Sequence, residues 1–428
     1  MTPQANFMVV AAIRPEREEA LRALLATMNR RPGVVDPENP LFPFRRLERL
    51  HVARFVILKD ETLRDRPPDD PFPDPPIWLA FLGDCDGEAG ALLEQAVTEA
   101  GDGLRRIFSH CADFSADADL PRWLRAHSVA PAAQYVNWVG RTVRQICEEA
   151  ALHQSLSTQL AQDAAATADQ SPSAVRERLV AEWRAKGPPL TAQPPTPLRW
   201  RLRRLLALIG GLSMVPVLLP LSLLMAPFFL CRLRWREVTD PVITPRPTPQ
   251  HVASLAVLED HDVTNQFSAF GSVKPGCFRL CTLIAIFRLL QLGIDLFYTR
   301  GRLARVGTIH FARWVFLDRK RRLLFASNYD GSLDSYMDDF INKVAYGLNL
   351  VFSNGIGWPR TSYLLCGGAK RELEFKSYLR RHQLPTQVWY KAYPGLTAAD
   401  LARNTMIREG LEAARMSEAE ARRWLALI

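Results

Sequence analysis

The chain repeats itself, and a repeat constrains the fold more than any local pattern does. LHVARFVIL at 50–58 matches IHFARWVFL at 309–317, pairing His51 with His310, Ala53 with Ala312 and Arg54 with Arg313. Upstream, Arg14-Pro15 follows the apolar stretch FMVVAAI, and Lys274-Pro275 follows FSAFGSV at nearly the same offset. Downstream, FLGDCDG at 81–87 matches FASNYDG at 325–331, with the offset shortened by a Pro/Asp insertion, RPPDDPFPDPP, in the first copy. The shortened offset persists for Gly103-Leu104 with Gly347-Leu348 and for Phe108-Ser109 with Phe352-Ser353. WLRAH at 123–127 then matches YLRRH at 378–382 and pairs His127 with His382. Matches in one order, with one explained gap, indicate an internal duplication.

Both copies read as the same α+β unit. A strand (7–13; 267–273) precedes a helix (16–30; 277–299). Two strands follow (50–58 and 77–83; 308–317 and 322–328), then a long helix (87–110; 332–353), a short helix and a last strand (134–139; 386–393). The order βαββαβ is that of a ferredoxin-like unit, a four-stranded antiparallel sheet with both helices on one face. In TIHFARWVF, strict alternation puts Thr308, His310, Ala312, Trp314 and Phe316 on one face and Ile309, Phe311, Arg313 and Val315 on the other. Both faces are largely apolar, so the uncovered face needs a partner, and the other copy supplies it. The expectation is a pseudo-two-fold sandwich or barrel of two ferredoxin-like repeats, with the His-and-Ala face at the sheet–sheet interface.

Between the copies, 205–231 carries no charge and exceeds the roughly 20 residues that a bilayer-spanning helix needs. Arg199, Arg201, Arg203 and Arg204 precede it, Arg232, Arg234 and Arg236 follow, and Trp200 and Trp235 stand at the two edges. Arginines on both flanks favour the cytoplasmic side for both ends. Pro216, Pro220 and Pro227 interrupt a straight helix, so a helix–break–helix that dips into one leaflet is expected rather than a span. A span would also part the two copies. The helix at 277–297 is far more apolar than its amphipathic counterpart in the first copy, as befits either a lipid-facing surface or a helix buried between domains. The organisation is thus a first repeat at 1–165, a polar helix and Pro-rich linker at 166–198, a membrane-associated segment at 199–236 and a second repeat at 245–428.

The net charge of +9 gathers beside the apolar segment and forms no basic stripe interleaved with aromatics, which argues against nucleic acid as a partner. Seven cysteines without a CxxC argue against a disulfide framework or a zinc ribbon, and the N-terminal stretch reads as a strand rather than an export signal.

Four pairs of residues are candidates for chemistry. His51 and His310 sit on strands as possible metal ligands, haem ligands or proton carriers, or as hydrogen-bonded core residues. His127 and His382 end short helices, where a histidine also serves simply as a dipole partner. Asp86 and Asp330 precede glycine at a strand-to-helix turn, where an N-cap is the plain reading. Arg54 and Arg313 fall on the opposite face from the histidines unless a bulge intervenes, and an ion pair of Arg313 with Asp330 is the plain reading there. The run Glu259-Asp260-His261-Asp262 is either a cation site or a solvated loop.

Gly83-Asp84-Cys85-Asp86-Gly87 is similar to the GxxDG motif of the dye-decolourising peroxidases, a haem family built from two ferredoxin-like units. The second copy reads Ser327-Asn328-Tyr329-Asp330-Gly331. The resemblance implies Asp86 as the distal acid, an arginine such as Arg313 stabilising developing charge, and a second-copy histidine, His310 ahead of His382, on the iron. The wider group of dimeric α/β-barrel proteins is also similar. The functional expectation is therefore a membrane-associated oxidoreductase of peroxidase or oxygenase type, using haem and taking an apolar or lipid-derived substrate at the cytoplasmic face. The alternative is a non-catalytic lipid-binding or scaffold protein.

Overall fold

The computed structural model describes residues 1–66, 73–163, 169–301, 303 and 305–428, so the middle of the Pro/Asp insertion and the first residues of the linker lie outside it. Eight strands carry the α+β architecture: β1 (Gln4–Ala12), β2 (Leu50–Leu58), β3 (Trp78–Asp86), β4 (Ala133–Val136), β5 (Thr264–Ser272), β6 (Ile309–Leu317), β7 (Arg322–Asp330) and β8 (Thr386–Lys391). The helices that matter below are α1 (Glu18–Ala26), α2 (Ala89–Phe108), α3 (Leu120–Ala126), α4 (Val143–Gln162), α5 (Pro172–Lys186), α6 (Leu198–Thr239), α7 (Pro249–Ala256), α8 (Cys277–Phe297), α9 (Leu333–Lys343), α10 (Ala345–Phe352), α11 (Glu372–His382), α12 (Ala398–Glu412) and α13 (Glu418–Leu425).

Two four-stranded antiparallel sheets form, in the orders β1-β3-β2-β8 and β4-β6-β7-β5. Each sheet therefore takes its fourth strand from the other half of the chain, which corrects the expectation of a self-contained sheet per copy. The route explains the exchange. The chain leaving α3 first runs beside β1, where Val129 N donates to Met8 O at 2.8 Å, and then crosses to pair with β6. The chain leaving α11 runs beside β5, where Leu384 N donates to Ser268 O at 2.8 Å, and then crosses to pair with β2. The strands so close into a ring, and the edges that would otherwise present unpaired backbone groups are used up.

Three apolar layers follow from the alternation. Phe7, Val9, Phe55 and Phe81 face α1–α3 on one outside. Phe267, Trp314 and Phe325 face α8–α11 on the other. Met8, Val10, Val56, Leu82, Phe270, Val315 and Leu324 interdigitate between the sheets. The long helix expected at 332–353 is broken at Val344 (φ −138°, ψ 19°) into α9 and α10. Its counterpart α2 has the same non-helical backbone at Ala100 (φ −141°, ψ 24°), at the offset that aligns Asp86 with Asp330. α4, α5, α12 and α13 pack through Leu152, Leu179, Ile407 and Trp424 into a separate helical layer.

The apolar segment between the sheets' strands differs from expectation. α6 is unbroken over 42 residues, about 63 Å at 1.5 Å per residue, with all three prolines inside it. A proline deletes one rung of the ladder and bends a helix. Reversing the chain needs a turn, and among the described residues none between 198 and 239 adopts positive φ. α6 runs antiparallel to α8, with the Phe229 and Phe278 rings 5.3 Å apart and Arg203 and Arg204 near Asp295 at the other end. Glu237, buried near its C-terminus, accepts from Thr361 Oγ1 (2.9 Å), Tyr363 N (2.8 Å) and Leu364 N (2.9 Å) and ties the helix to the body.

Candidate functional site

The polar residues inside the ring fall into three levels. At one end stand two equivalent His–Asp pairs. His51 Nε2 lies 2.9 Å from Asp86 Oδ1, and His310 Nε2 lies 2.6 Å from Asp330 Oδ1, all four residues being buried. The second oxygen of each carboxylate accepts from the first N–H of a helix: Asp86 Oδ2 from Val143 N of α4 at 2.9 Å, and Asp330 Oδ2 from Ala398 N of α12 at 2.7 Å. Both aspartates do cap helices, but not the ones that follow them, whose N-caps are Glu88 and Ser332. The helix dipole and the free N–H suit a carboxylate there. Burial acts to raise the Asp330 pKa, but His310 and the bonds from His310, Ala398 and Thr264 outweigh it and hold the carboxyl below its ordinary value.

A carboxylate only accepts, so Nε2 of His51 carries a proton, and in the neutral ring Nδ1 accepts from the Tyr393 hydroxyl at 3.1 Å. Burial, with Asp86 and Asp84 adding to it, pushes the Tyr393 phenol well up. Around the other pair, Thr264 Oγ1 donates to Asp330 Oδ1 at 2.7 Å, and the buried Lys391 Nζ donates to Thr264 Oγ1 at 2.6 Å and Leu396 O at 2.7 Å. Burial lowers the Lys391 pKa against the opposing pull of Asp262 and Asp330.

The sheet–sheet face is the arginine face, not the alanine face. Ala53 and Ala312 belong to the outer layers, while Arg54 and Arg313 point between the sheets. The histidines join them through bulges: register shifts between Leu50 and Val52 and between Ile309 and Phe311 make His51 and His310 the extra residues. The His51 ring lies 5.4 Å from that of Phe311 on the opposite sheet.

At mid-level each arginine crosses to the other sheet. Arg313 donates to Phe7 O (2.8 Å), Gly83 O (3.0 Å) and Asp84 Oδ2, so its carboxylate partner is Asp84 and not Asp330. Arg54 donates to Phe267 O (2.9 Å), Ser268 Oγ (3.0 Å), Ser327 O (2.9 Å) and Asn328 Oδ1. Asp84 and Asn328 are equivalent positions, so one buried guanidinium has a carboxylate and the other an amide. Burial, then the nearby Arg313, pushes Arg54 down to about 9, still charged at neutral pH. The cavity between the two arginines holds about 10 Å³, room for one water.

His127 and His382 stand at the far end of the ring, roughly 20 Å along the strands from the His–Asp pairs. Their Nδ1 atoms lie 2.9 Å from Trp123 O and 2.8 Å from Tyr378 O, and each ring stacks on that same aromatic side chain. These are helix-end contacts. Glu259 is buried against Arg380 and Gln383, whereas Asp260, bonded to Asn265, and His261 are exposed and the half-buried Asp262 accepts from Gly395 N, so the run is a solvated loop apart from Glu259. Among the described residues no group of His, Cys, Asp and Glu has the arrangement of a metal site.

These positions do not fit a haem. Nε2 of both strand histidines is committed to a carboxylate, and the space between the arginines is far below the roughly 300–1,000 Å³ of a ligand pocket. Sequence reasoning missed Asp84, Lys391 and Tyr393. Asp84 stood two residues before Asp86 on the same strand face, and WYKAY at 389–393 places a lysine and a tyrosine in an otherwise apolar strand end.

A cavity of ligand size, about 500 Å³, lies elsewhere: outside the second sheet, between α8, the β6–β7 turn and the 129–132 segment. None of the histidine, aspartate or arginine candidates lines it. No family model, no curated protein and no solved structure matches the chain.

Proposed function

We propose that the protein is a membrane-associated lipid-binding protein that lies in the plane of one leaflet and uses the strand ring as a rigid base. The observation that carries this reading is α6. Leu206, Leu223, Leu224 and Phe228 are each at least 66% exposed, and further exposed apolar side chains lie all round the helix. Burying such a side chain is worth roughly 1.5–3 kcal/mol, so leaving this many in water is untenable without a cover. Lipid suits as that cover, because cationic and aromatic side chains bracket the apolar stretch: Arg204 lies over Trp200 and Arg232 over Trp235, at 5.4 and 4.4 Å. α8 adds to the same face, with a mean hydropathy of 1.9 and enough length to cross a membrane by composition alone. Its buried side, Leu283, Phe287 and Ile294, packs on the second sheet, which favours an in-plane layer over a span. The arginines on both flanks favour the cytoplasmic leaflet.

The shared bulges, the shared helix break and the paired His–Asp contacts support reading the ring as a duplicated ferredoxin-like unit of the dimeric α/β-barrel kind. A peroxidase or oxygenase has less support, since the candidate histidines and arginines border no cavity of substrate size. Flotation of the full chain on phosphatidylcholine vesicles tests the anchor. The wild type is expected to float and Leu206→Glu/Leu224→Glu/Phe228→Glu to stay below with an unchanged far-UV spectrum. A wild-type protein that is soluble and monomeric without detergent, and does not float, sinks the reading.

A further inference from the structure

We infer that the groove beside α8 binds one anionic phospholipid, its acyl chain on the apolar floor and its headgroup under a cationic rim. The inference deepens the membrane reading above and rests on it. Ile284 and Phe287 of α8 and Phe316 of β6 form the floor; Arg288, Arg319 and Lys320 stand at the mouth. None of the three cations has a carboxylate partner among the described residues, and all are exposed. The one acid at the mouth, Asp318, is held at 2.7 Å by Arg321. An unopposed cluster of three positive side chains over an apolar channel complements a headgroup with net negative charge joined to a hydrocarbon chain.

Two further observations point to the bilayer as the source. Arg288 at the groove is followed by Leu289, 69% exposed on the lipid-facing side of the same helix, so the mouth opens beside the surface assigned to the membrane. The rim is also held in a costly shape. Asp318, Arg319 and Lys320 adopt φ of 46°, 52° and 68°, three successive left-handed residues without a glycine among them. Such backbone is unfavourable for residues with a side chain and persists where the surroundings demand it. Here it fixes two cations at the mouth.

The test uses the full chain in uncharged detergent micelles, with fluorescent phosphatidylglycerol and phosphatidylcholine of equal chain length as probes. Arg319→Asn/Lys320→Asn removes both turn charges with a residue that tolerates left-handed backbone. At about fivefold per charge, the variant is expected to bind the anionic probe about thirtyfold more weakly, with the neutral probe unchanged. Equal wild-type affinity for the two probes, or an unchanged anionic affinity in the variant, overturns the proposal. So does displacement by inorganic phosphate as effective as by unlabelled phosphatidylglycerol, which would reduce the groove to a simple anion site. The variant keeps α6 intact and is expected to float on neutral vesicles like the wild type. Failure of both proteins to float refutes the anchor, whereas a floating variant with undiminished anionic binding refutes the groove.

Discussion

Replacing Asp84 by Asn removes the only carboxylate that, among the described residues, touches either guanidinium at the centre of the ring. Arg54 and Arg313 are both buried, and in the wild type Asp84 neutralises one while Asn328 offers the other only an amide oxygen. After the change two buried cations face neutral partners across a cavity of about 10 Å³, too small to admit solvating water beyond a single molecule. Removing one partner of a buried ion pair typically costs 3–5 kcal/mol, and the presence of a second cation places Asp84→Asn at the upper part of that range, about 4–5 kcal/mol. Asn328→Asp adds a carboxylate to Arg54 and is expected to cost less than about 1 kcal/mol or to stabilise. The double variant moves the carboxylate from one arginine to the other without changing the net charge of the centre. It should regain most of the loss, with a coupling energy above about 2 kcal/mol in the double-mutant cycle. Guanidinium unfolding in mild detergent, followed by near-UV signal, supplies the four midpoints. If the double variant is as unstable as Asp84→Asn alone, the idea that the centre requires one negative charge at either position is wrong. If Asp84→Asn costs under 1 kcal/mol, the guanidiniums are not desolvated as the geometry implies.

The His310–Asp330 pair makes a prediction with a definite sign. A carboxyl held below its ordinary 3.8 stabilises the fold above that pH and loses its contribution as pH falls through the lower folded value, so Asp330→Asn should flatten the acid limb of the stability profile below about pH 4 while lowering stability at neutrality. An acid limb of unchanged slope would show that other carboxylates carry it. The two halves also provide a matched pair of glycines. A methyl at Gly103 would lie 1.8 Å from Leu41 O, so Gly103→Ala should destabilise by roughly 1–3 kcal/mol or more despite its helix propensity. Gly347, its counterpart, has open space, and Gly347→Ala should be neutral or stabilise by roughly 0.4–1 kcal/mol; thermal melts of both variants decide.

The mixed α+β class and the approximate bounds of the main strands were legible because each depends on local pattern. FMVVAAI and FSAFGSV are strands by composition, and the doubly apolar faces of β2 and β6 required the two sheets to stack. Strand exchange was not legible. AAQYV and TQVWYK satisfy their alternation equally well on either sheet, and the choice is made by where α3 and α11 release the chain. The course of α6 was misread for a related reason: proline marks a weakened ladder, but whether the chain turns depends on what packs alongside, and here α8 does.

The bulges show how one unreadable residue reorganises a site. A period-two reading placed His310 with Ala312 and opposite Arg313; a single extra residue at His310 brings the histidine to the Arg313 face and leaves Ile309 on the Ala312 face. The same insertion occurs at His51, so both halves turn a histidine and an arginine inward toward the other sheet. Once inward, each group had to find a partner, and the halves solved this identically at the ring end, with Asp86 and Asp330, but differently at its centre, with Asp84 and Asn328. Two carboxylates at the centre would balance two guanidiniums, and none would leave both uncompensated. One leaves a net positive charge shared over a space the size of a water molecule. That divergence between otherwise matching halves is why the carboxylate swap, rather than loss of a histidine, is the sharper probe of what the ring interior tolerates.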